Sequence, residues 1–290
     1  MQGKAVRSLR ITLLFLLIGG LAALPDLLSA YADTSSGFPA AALASHPQTV
    51  LLDAWFNSQQ RRNASGQLEY YHYKWDDTSD SGFSLLGQVF RDDGVTTKTL
   101  YTAPTHRNLA HAQYYILVSP DNAAKNPHPH YMTAASARQI ASWVKAGGVL
   151  LLLENDPANA DVAHLDRLAD IFGLHFNPVL VHHVAGRNLE MGRIDVQGGG
   201  AIFSAAHTLF MKDTCSLSLS GHAVAVLQDK GNILMATARY GKGTVFAVTD
   251  PWLYNEYTNG KNLPAMYDNL AAGKELVRWL IKQRTRAANE

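Results

Sequence analysis

One cysteine, Cys215, is all that this 290-residue chain contains, so no internal disulfide can form and packing must hold the fold. Charge imbalance is missing too: 25 Lys and Arg face 24 Asp and Glu, a formal net charge of +1. That balance argues against nucleic acid or an anionic membrane as partner, since either calls for a strongly basic face. No internal repeat is visible. Cys215 itself lies in the alternating run Cys215-Ser216-Leu217-Ser218-Leu219, which reads as a strand. Neither the sharp turn nor the nearby base that a nucleophilic thiol needs is present, so it reads as a buried structural thiol.

What is present begins with an address. Lys4, Arg7 and Arg10 form a basic start, Ile11 to Leu24 is apolar but short for a membrane span, and Ala30-Tyr31-Ala32 has the small-x-small form of a cleavage site. Residues 1–32 therefore read as a signal peptide, with export to the periplasm or outside the cell and no stable membrane anchor after cleavage. Its loss removes three basic residues and Asp26, which takes the formal charge from +1 to −1. Residues 33–48 read as a linker, and the remainder is long enough for one large domain. The hydrophobic fraction of 47% supports a full core.

From Thr49 strand and helix signals alternate. Thr49 to Phe56 reads as a strand. Gly82 to Arg91 fits a helix, with Phe83, Leu86, Val89 and Phe90 on one stripe and Asp80 or Ser81 as N-cap. Strands are expected at Thr97 to Tyr101, Tyr114 to Ser119 and Val149 to Leu153, with an amphipathic helix over Ala134 to Lys145 stopped by Gly147-Gly148. A helix over Val162 to Phe172, strands Ile233 to Ala238 and Thr244 to Thr249, and a last helix over Met266 to Lys282 complete the pattern. This predicts one α/β domain over 49–284 with a largely parallel sheet and right-handed crossovers, a β-rich insertion or edge layer at 177–231, and a tail at 285–290.

The segment Tyr70-Tyr71-His72-Tyr73-Lys74-Trp75-Asp76-Asp77 carries four aromatics, a histidine, a lysine and paired acids. A mere connection would be small and polar. Flat rings suit sugar faces, and the charges suit hydroxyls or a uronate.

The hairpin Ala238-Arg239-Tyr240-Gly241-Lys242-Gly243-Thr244-Val245, with its strand ending in Asp250-Pro251, resembles the closing section of flavodoxin-like domains related to class I glutamine amidotransferases. His72 to Asp77 with Ser81-Gly82-Phe83-Ser84, Glu190-Met191-Gly192-Arg193, and Asp250 to Tyr257 resemble the domain found beside family 105 glycoside hydrolases. Those hydrolases release unsaturated uronic acids from pectin fragments, so the resemblance implies carbohydrate metabolism, pectin degradation and a separate glycoside hydrolase as partner. The amidotransferase chemistry does not carry over, because Leu153-Glu154-Asn155-Asp156 stands where the glycine-cysteine-glycine elbow would be.

Ligand crevices in open α/β sheets lie outside the carboxyl ends of the strands. Asp53, Pro120-Asp121, Glu154 with Asp156, and Asp250 all fall at expected strand ends. Glycoside hydrolysis needs two carboxyl groups across the scissile bond. Asp76 or Asp77, opposite Glu154 or Asp250, are the catalytic candidates. His72, Lys74, Trp75, Glu190, Arg193, Trp252, Tyr254 and Glu256 are the substrate-binding ones, for an oligosaccharide. The competing expectation is a module that binds sugar without turning it over. His128, His130, His182 and His183 lack a defined third ligand, so no metal or other cofactor is assigned.

Overall fold

The computed structural model describes residues 48–289, so the expected leader at 1–32 and nearly all of the expected linker at 33–48 lie outside the described residues. Strand β1 (Gln48–Asp53) is followed by a short hairpin of β2 (Gln60–Arg62) and β3 (Leu68–Tyr70), then helix α1 (Ser84–Asp92) and β4 (Val95–Leu100). The one-turn helix α2 (His106–Leu109) leads to β5 (Tyr114–Val118), α3 (Ala134–Lys145), β6 (Val149–Leu153) and α4 (Val162–Ala169). Strands β7 (Leu174–Val181), β8 (Arg193–Val196), β9 (His207–Phe210), β10 (Thr214–Leu219) and β11 (Val224–Asp229) come next. Strands β12 (Asn232–Tyr240) and β13 (Gly243–Val248) precede the last helix, α5 (Asn269–Asn289).

The nine-stranded sheet runs β4-β1-β5-β6-β13-β12-β10-β7, with β11 also paired to β12. Its first five strands are mutually parallel. Numbered by their order along the chain, those five lie 2-1-3-4-5, the flavodoxin-like arrangement. The sequence expectation of a single flavodoxin-like α/β domain holds, and 177–231 is its antiparallel edge layer: β7, β10 and β11 extend the sheet, while β8 and β9 form a hairpin apart from it.

Successive side chains of a strand point to opposite faces, so a strand covered on both sides is apolar throughout. In β5, Tyr114, Ile116 and Val118 face the layer of α1 and α5, whereas Tyr115 and Leu117 face that of α3 and α4. Val149, Leu151 and Leu153 of β6 alternate with Leu150 and Leu152 in the same way. Cys215 is buried among the second group, where burial pushes its thiol up and keeps it protonated.

Element ends differ from expectation where distant residues cap them. Neither Asp80 nor Ser81 caps α1, whose N-cap position is Phe83 with no side-chain cap. Glu256 supplies the acceptor from across the chain, taking the Leu85 N–H at 2.7 Å and bonding the Ser84 hydroxyl. The expected tail at 285–290 is instead helical to Asn289. Ala287 is buried, and Arg284 donates to the Gly147 carbonyl at 3.2 Å, so packing carries the helix on. No helix among the described residues is long and apolar enough to cross a membrane.

Asn269 latches the start of α5. Its Oδ1 accepts from Phe210 N at 2.8 Å, and its Nδ2 donates to Phe210 O at 2.9 Å and Leu253 O at 3.3 Å, with the residue 1% exposed. Leucine would fill the space but orphan three buried backbone groups, each costing about 1–3 kcal/mol. Asn269→Leu should therefore lower the urea midpoint by the equivalent of ~3 kcal/mol at unchanged denaturant slope. An unchanged midpoint would show that the latch contributes nothing.

Candidate functional site

A pocket of about 270 Å³ opens at the carboxyl edge of the parallel strands. Ser119 follows β5, Asn155 follows β6, Trp252 follows β13, and Gln59 lies beyond β1, so the cavity includes the β1/β5 switch point. The loop 71–83 adds His72, Tyr73 and Ser81, and the turn between β9 and β10 adds Lys212 and Asp213. Lys125 and Asn159 complete it from the loops after β5 and β6.

Backbone strain concentrates here. His72 and Tyr73 are consecutive left-handed residues at φ 58° and 49°, and Ser119 and Asp213 sit at 37° and 51°. Non-glycine residues hold such angles only where their surroundings enforce them. For the 71–83 loop the enforcer is Lys74, 2% exposed, whose Nζ donates to Asn57 O at 3.0 Å, Asn57 Oδ1 at 2.7 Å and His72 O at 2.9 Å. Asp77 holds the other side, accepting from His72 N at 3.2 Å, Ser79 N at 2.9 Å and Ser79 Oγ at 2.6 Å. Gly82 is required for closure, because a Cβ there would lie 1.8 Å from the Asp77 carbonyl oxygen. Tyr73 packs on Phe83 at 5.1 Å between ring centres and extends its hydroxyl to Trp252 and Asn155.

Burial sets the ionisation states. It pushes His72 down to about 4, helped by the Lys74 charge, so the ring is neutral at neutral pH. Lys74 falls to about 8 through burial, opposed by Asp53 and Asp121. Asp53 rises to about 6 and Asp250 to about 7, again through burial and against the hydrogen bonds each accepts. Glu154, 0% exposed, is also pushed up by burial, and its Oε2 has no hydrogen-bond partner among the described residues.

Of the residues singled out from sequence, the structure brings His72 and Trp252 to this pocket and leaves the others off its wall. Lys74 lies beneath it as a fastener, not a uronate ligand. Trp75, partly buried, packs against the core beside Phe83 and Phe90 at 6.4 Å each and donates its indole N–H to Lys98 O at 3.0 Å, off the pocket wall. Asp76 and Asp77 border a different cavity. Asp250 is buried, accepting from Trp252 N at 2.8 Å and Lys212 N at 2.7 Å, and Tyr254 is buried beside it. Glu190 and Arg193 form an exposed ion pair at the start of β8, and Glu256 caps α1. The expected pairing of Asp76 or Asp77 with Glu154 or Asp250 across one pocket is thus not formed. Acids at strand ends and helix starts were consumed by the backbone N–H groups that those ends leave open.

Reading one residue past the end of β5 and two past that of β6 would have found Ser119 and Asn155. Nothing in the sequence announces Gln59, Lys125, Asn159, Lys212 or Asp213, which only the fold brings together.

The histidines are engaged singly. His130 stacks on Trp55 at 3.5 Å and donates to its carbonyl, His182 pairs with Asp229, and His183 pairs with Asp213 at 2.7 Å. Asp166, Asp170 and His175 do converge, with ligand atoms within 4.8 Å, but Asp166 is committed to Phe176 N and the other two are exposed.

Among solved structures, the chain is similar to the mmIFT52 N-terminal domain at 16% identity and a TM-score of 0.60, over 81% of this chain and 97% of that one. It is also similar to Cytoplasmic Protein STM1381 from Salmonella typhimurium LT2 at 12% identity and a TM-score of 0.50, over 80% and 98%. At such identities the likeness concerns the fold alone. No curated protein matches the sequence. Residues 76–258 match the family described as Domain of unknown function (DUF4350), and because that match covers more than half of the chain, the protein belongs to this family.

Proposed function

We propose that the domain binds a small acidic, hydroxyl-rich ligand, a uronate-type sugar, in the pocket at the carboxyl edge, and does not turn it over. The observation that carries this is the pocket's ionic inventory. Lys125 and Lys212 line it against a single carboxylate, Asp213, which lies 2.7 Å from His183 and 3.7 Å from Lys212, so the lining keeps one ammonium in excess. A carboxylate ligand would meet two ammonium groups, with Lys212 Nζ held 5.7 Å above the Trp252 ring. Asn155, Asn159, Ser81 and Ser119 offer amide and hydroxyl groups that both donate and accept, as ring hydroxyls require. The size suits one ring, being at the small end of ligand cavities. No pair of carboxyl groups faces this space, which favours binding over glycoside hydrolysis. On this reading the protein acts after export, alongside a separate glycoside hydrolase that handles pectin-type chains.

Titration calorimetry with galacturonate and with galactose tests it. The acid should bind about tenfold or more tightly than its neutral counterpart, and Lys125→Gln with Lys212→Gln should erase the difference. Equal affinities in the wild-type protein would remove the ionic argument. Product release from a panel of pectin fragments would restore hydrolysis as the function.

A further inference from the structure

A lysine of the pocket shares its counter-ion with a histidine outside it. Lys212 Nζ lies 3.7 Å from Asp213 Oδ2, while Asp213 Oδ1 is 2.7 Å from His183 Nδ1 and accepts the Val184 N–H at 3.3 Å. Lys212 and Asp213 line the pocket, whereas His183 lines a separate cavity with His182, Met191 and Lys230. One carboxylate thus has a cation inside the pocket on one side and, on the other, an imidazole whose side chain is 61% exposed.

The backbone keeps the three groups together. Thr214 pairs with Val181 at the end of the β7–β10 ladder, and one step further Asp213 N donates to His182 O at 3.0 Å. His182 and Asp213 are both left-handed, at φ 49° and 51°, a conformation that persists in such residues only where the surroundings hold it.

Other charges surround the trio. Lys230 Nζ and His182 Nε2 lie 3.8 and 3.2 Å from Asp229, which offsets them, and Glu190 beside Met191 pairs with Arg193 at 3.2 Å. Lys125 shares the pocket with Lys212, and His72, pushed down to about 4, adds no charge to it at neutral pH. Asp250, buried, accepts the Lys212 backbone N–H at 2.7 Å and titrates at about 7.

Resting on the reading of the pocket as a uronate site, we propose that His183 regulates its affinity for an anion by competing with Lys212 for Asp213. An imidazolium at this position satisfies Asp213 and leaves the Lys212 ammonium to a ligand carboxylate. A neutral imidazole leaves Asp213 as a built-in competitor for that ammonium. Imidazole side chains change charge between about pH 5 and 8, so an anionic ligand is held more tightly at the acid end of that range. By reciprocity, a ligand that engages Lys212 favours the charged imidazole. His183 is a positioning residue, acting on the ligand only through Asp213 and Lys212.

Two measurements test this. On going from about pH 8 to about pH 5.5, the gain in galacturonate affinity should be about threefold larger in the wild-type protein than in His183→Gln. Asp250 contributes to both profiles, so their difference is the readout. Asp213→Asn keeps an acceptor for Val184 N and suits the left-handed backbone; it should remove that difference, so that adding His183→Gln to it changes nothing. Without ligand, the titration midpoint of the His183 ring, followed by NMR, should rise by about half a pH unit in Lys212→Gln, because Asp213 then has one cation fewer to serve. That rise should be lost in the Asp213→Asn background. Equal profiles for wild type and His183→Gln, an effect of His183→Gln that persists without Asp213, or a ring titration indifferent to Lys212 each overturns the coupling while the uronate pocket stands. A ring titration that responds to Lys212 through Asp213, with no galacturonate bound at either pH, keeps His183 as the control on Lys212 and overturns the uronate reading. No binding together with an indifferent titration overturns both.

Discussion

Lys74→Met should destabilise the protein by about 3 kcal/mol and abolish ligand binding, the largest single effect expected from any substitution near the site. Two effects compete. Removing a buried ammonium relieves the net cost of burying its charge beside Asp53 and Asp121, which the fall of its pKa from 10.5 to about 8 puts at ~3 kcal/mol. Against this, Asn57 O, Asn57 Oδ1 and His72 O lose their donor, at about 1–3 kcal/mol each. The second effect wins. Once the His72 carbonyl is released, His72 keeps only the 3.2 Å bond from its N–H to Asp77 against relaxation of its left-handed backbone, and it leaves the pocket wall. Urea unfolding and galacturonate titration of the same variant provide the check. A variant with wild-type midpoint and affinity would show that the loop holds its shape without the lysine.

The second large effect is on the pH dependence of stability. Asp250 titrates at about 7 in the folded protein against 3.8 in a free chain. Below 3.8 both states carry the proton and above 7 neither does; in between, the native state holds a proton that the unfolded state has lost. Stability therefore falls as pH rises through that window, by up to ~4 kcal/mol for this group. Asp53, raised to about 6, adds to the same slope below that pH. Asp250→Asn removes the titration and keeps one of the two acceptors used by Trp252 N and Lys212 N. Its stability should lie well below wild type at pH 4 to 5 and approach it by pH 7.5, measured as urea midpoints across that range. Parallel curves for the two proteins would mean that Asp250 is not protonated in the native state.

The fold was legible because its signals are local. An unbroken run such as Val149 to Leu153 states a strand covered on both faces, and a stripe such as Ile140, Trp143 and Val144 states which side of α3 meets the sheet. Element ends were less legible. Glu256 caps α1 from 171 residues away along the chain, and no local pattern encodes that distance.

The site was half legible, for a physical reason. Sequence shows which residues are able to do chemistry but not which backbone groups they must satisfy first. Trp75, Asp77, Asp250 and Glu256 all have the chemistry of ligand groups, and each is committed to a protein partner instead. Polar groups that leave water must find partners, and in a closed fold the nearest unmet donor or acceptor takes them.

By itself, then, the sequence determined the α/β class, the order of the elements, the two apolar faces of the central strands and the edge at which a ligand would sit. Hydrophobic period and chain order depend on neighbours a few residues apart, and chain order with right-handed crossovers leaves one carboxyl edge. Only the tertiary structure decided that Lys125 and Lys212 line one pocket with Trp252 while the acids turn inward or to the far flank of the loop. Burial and charge balance at a pocket are sums over residues that lie far apart along the chain, and those sums are fixed only when the sheet closes.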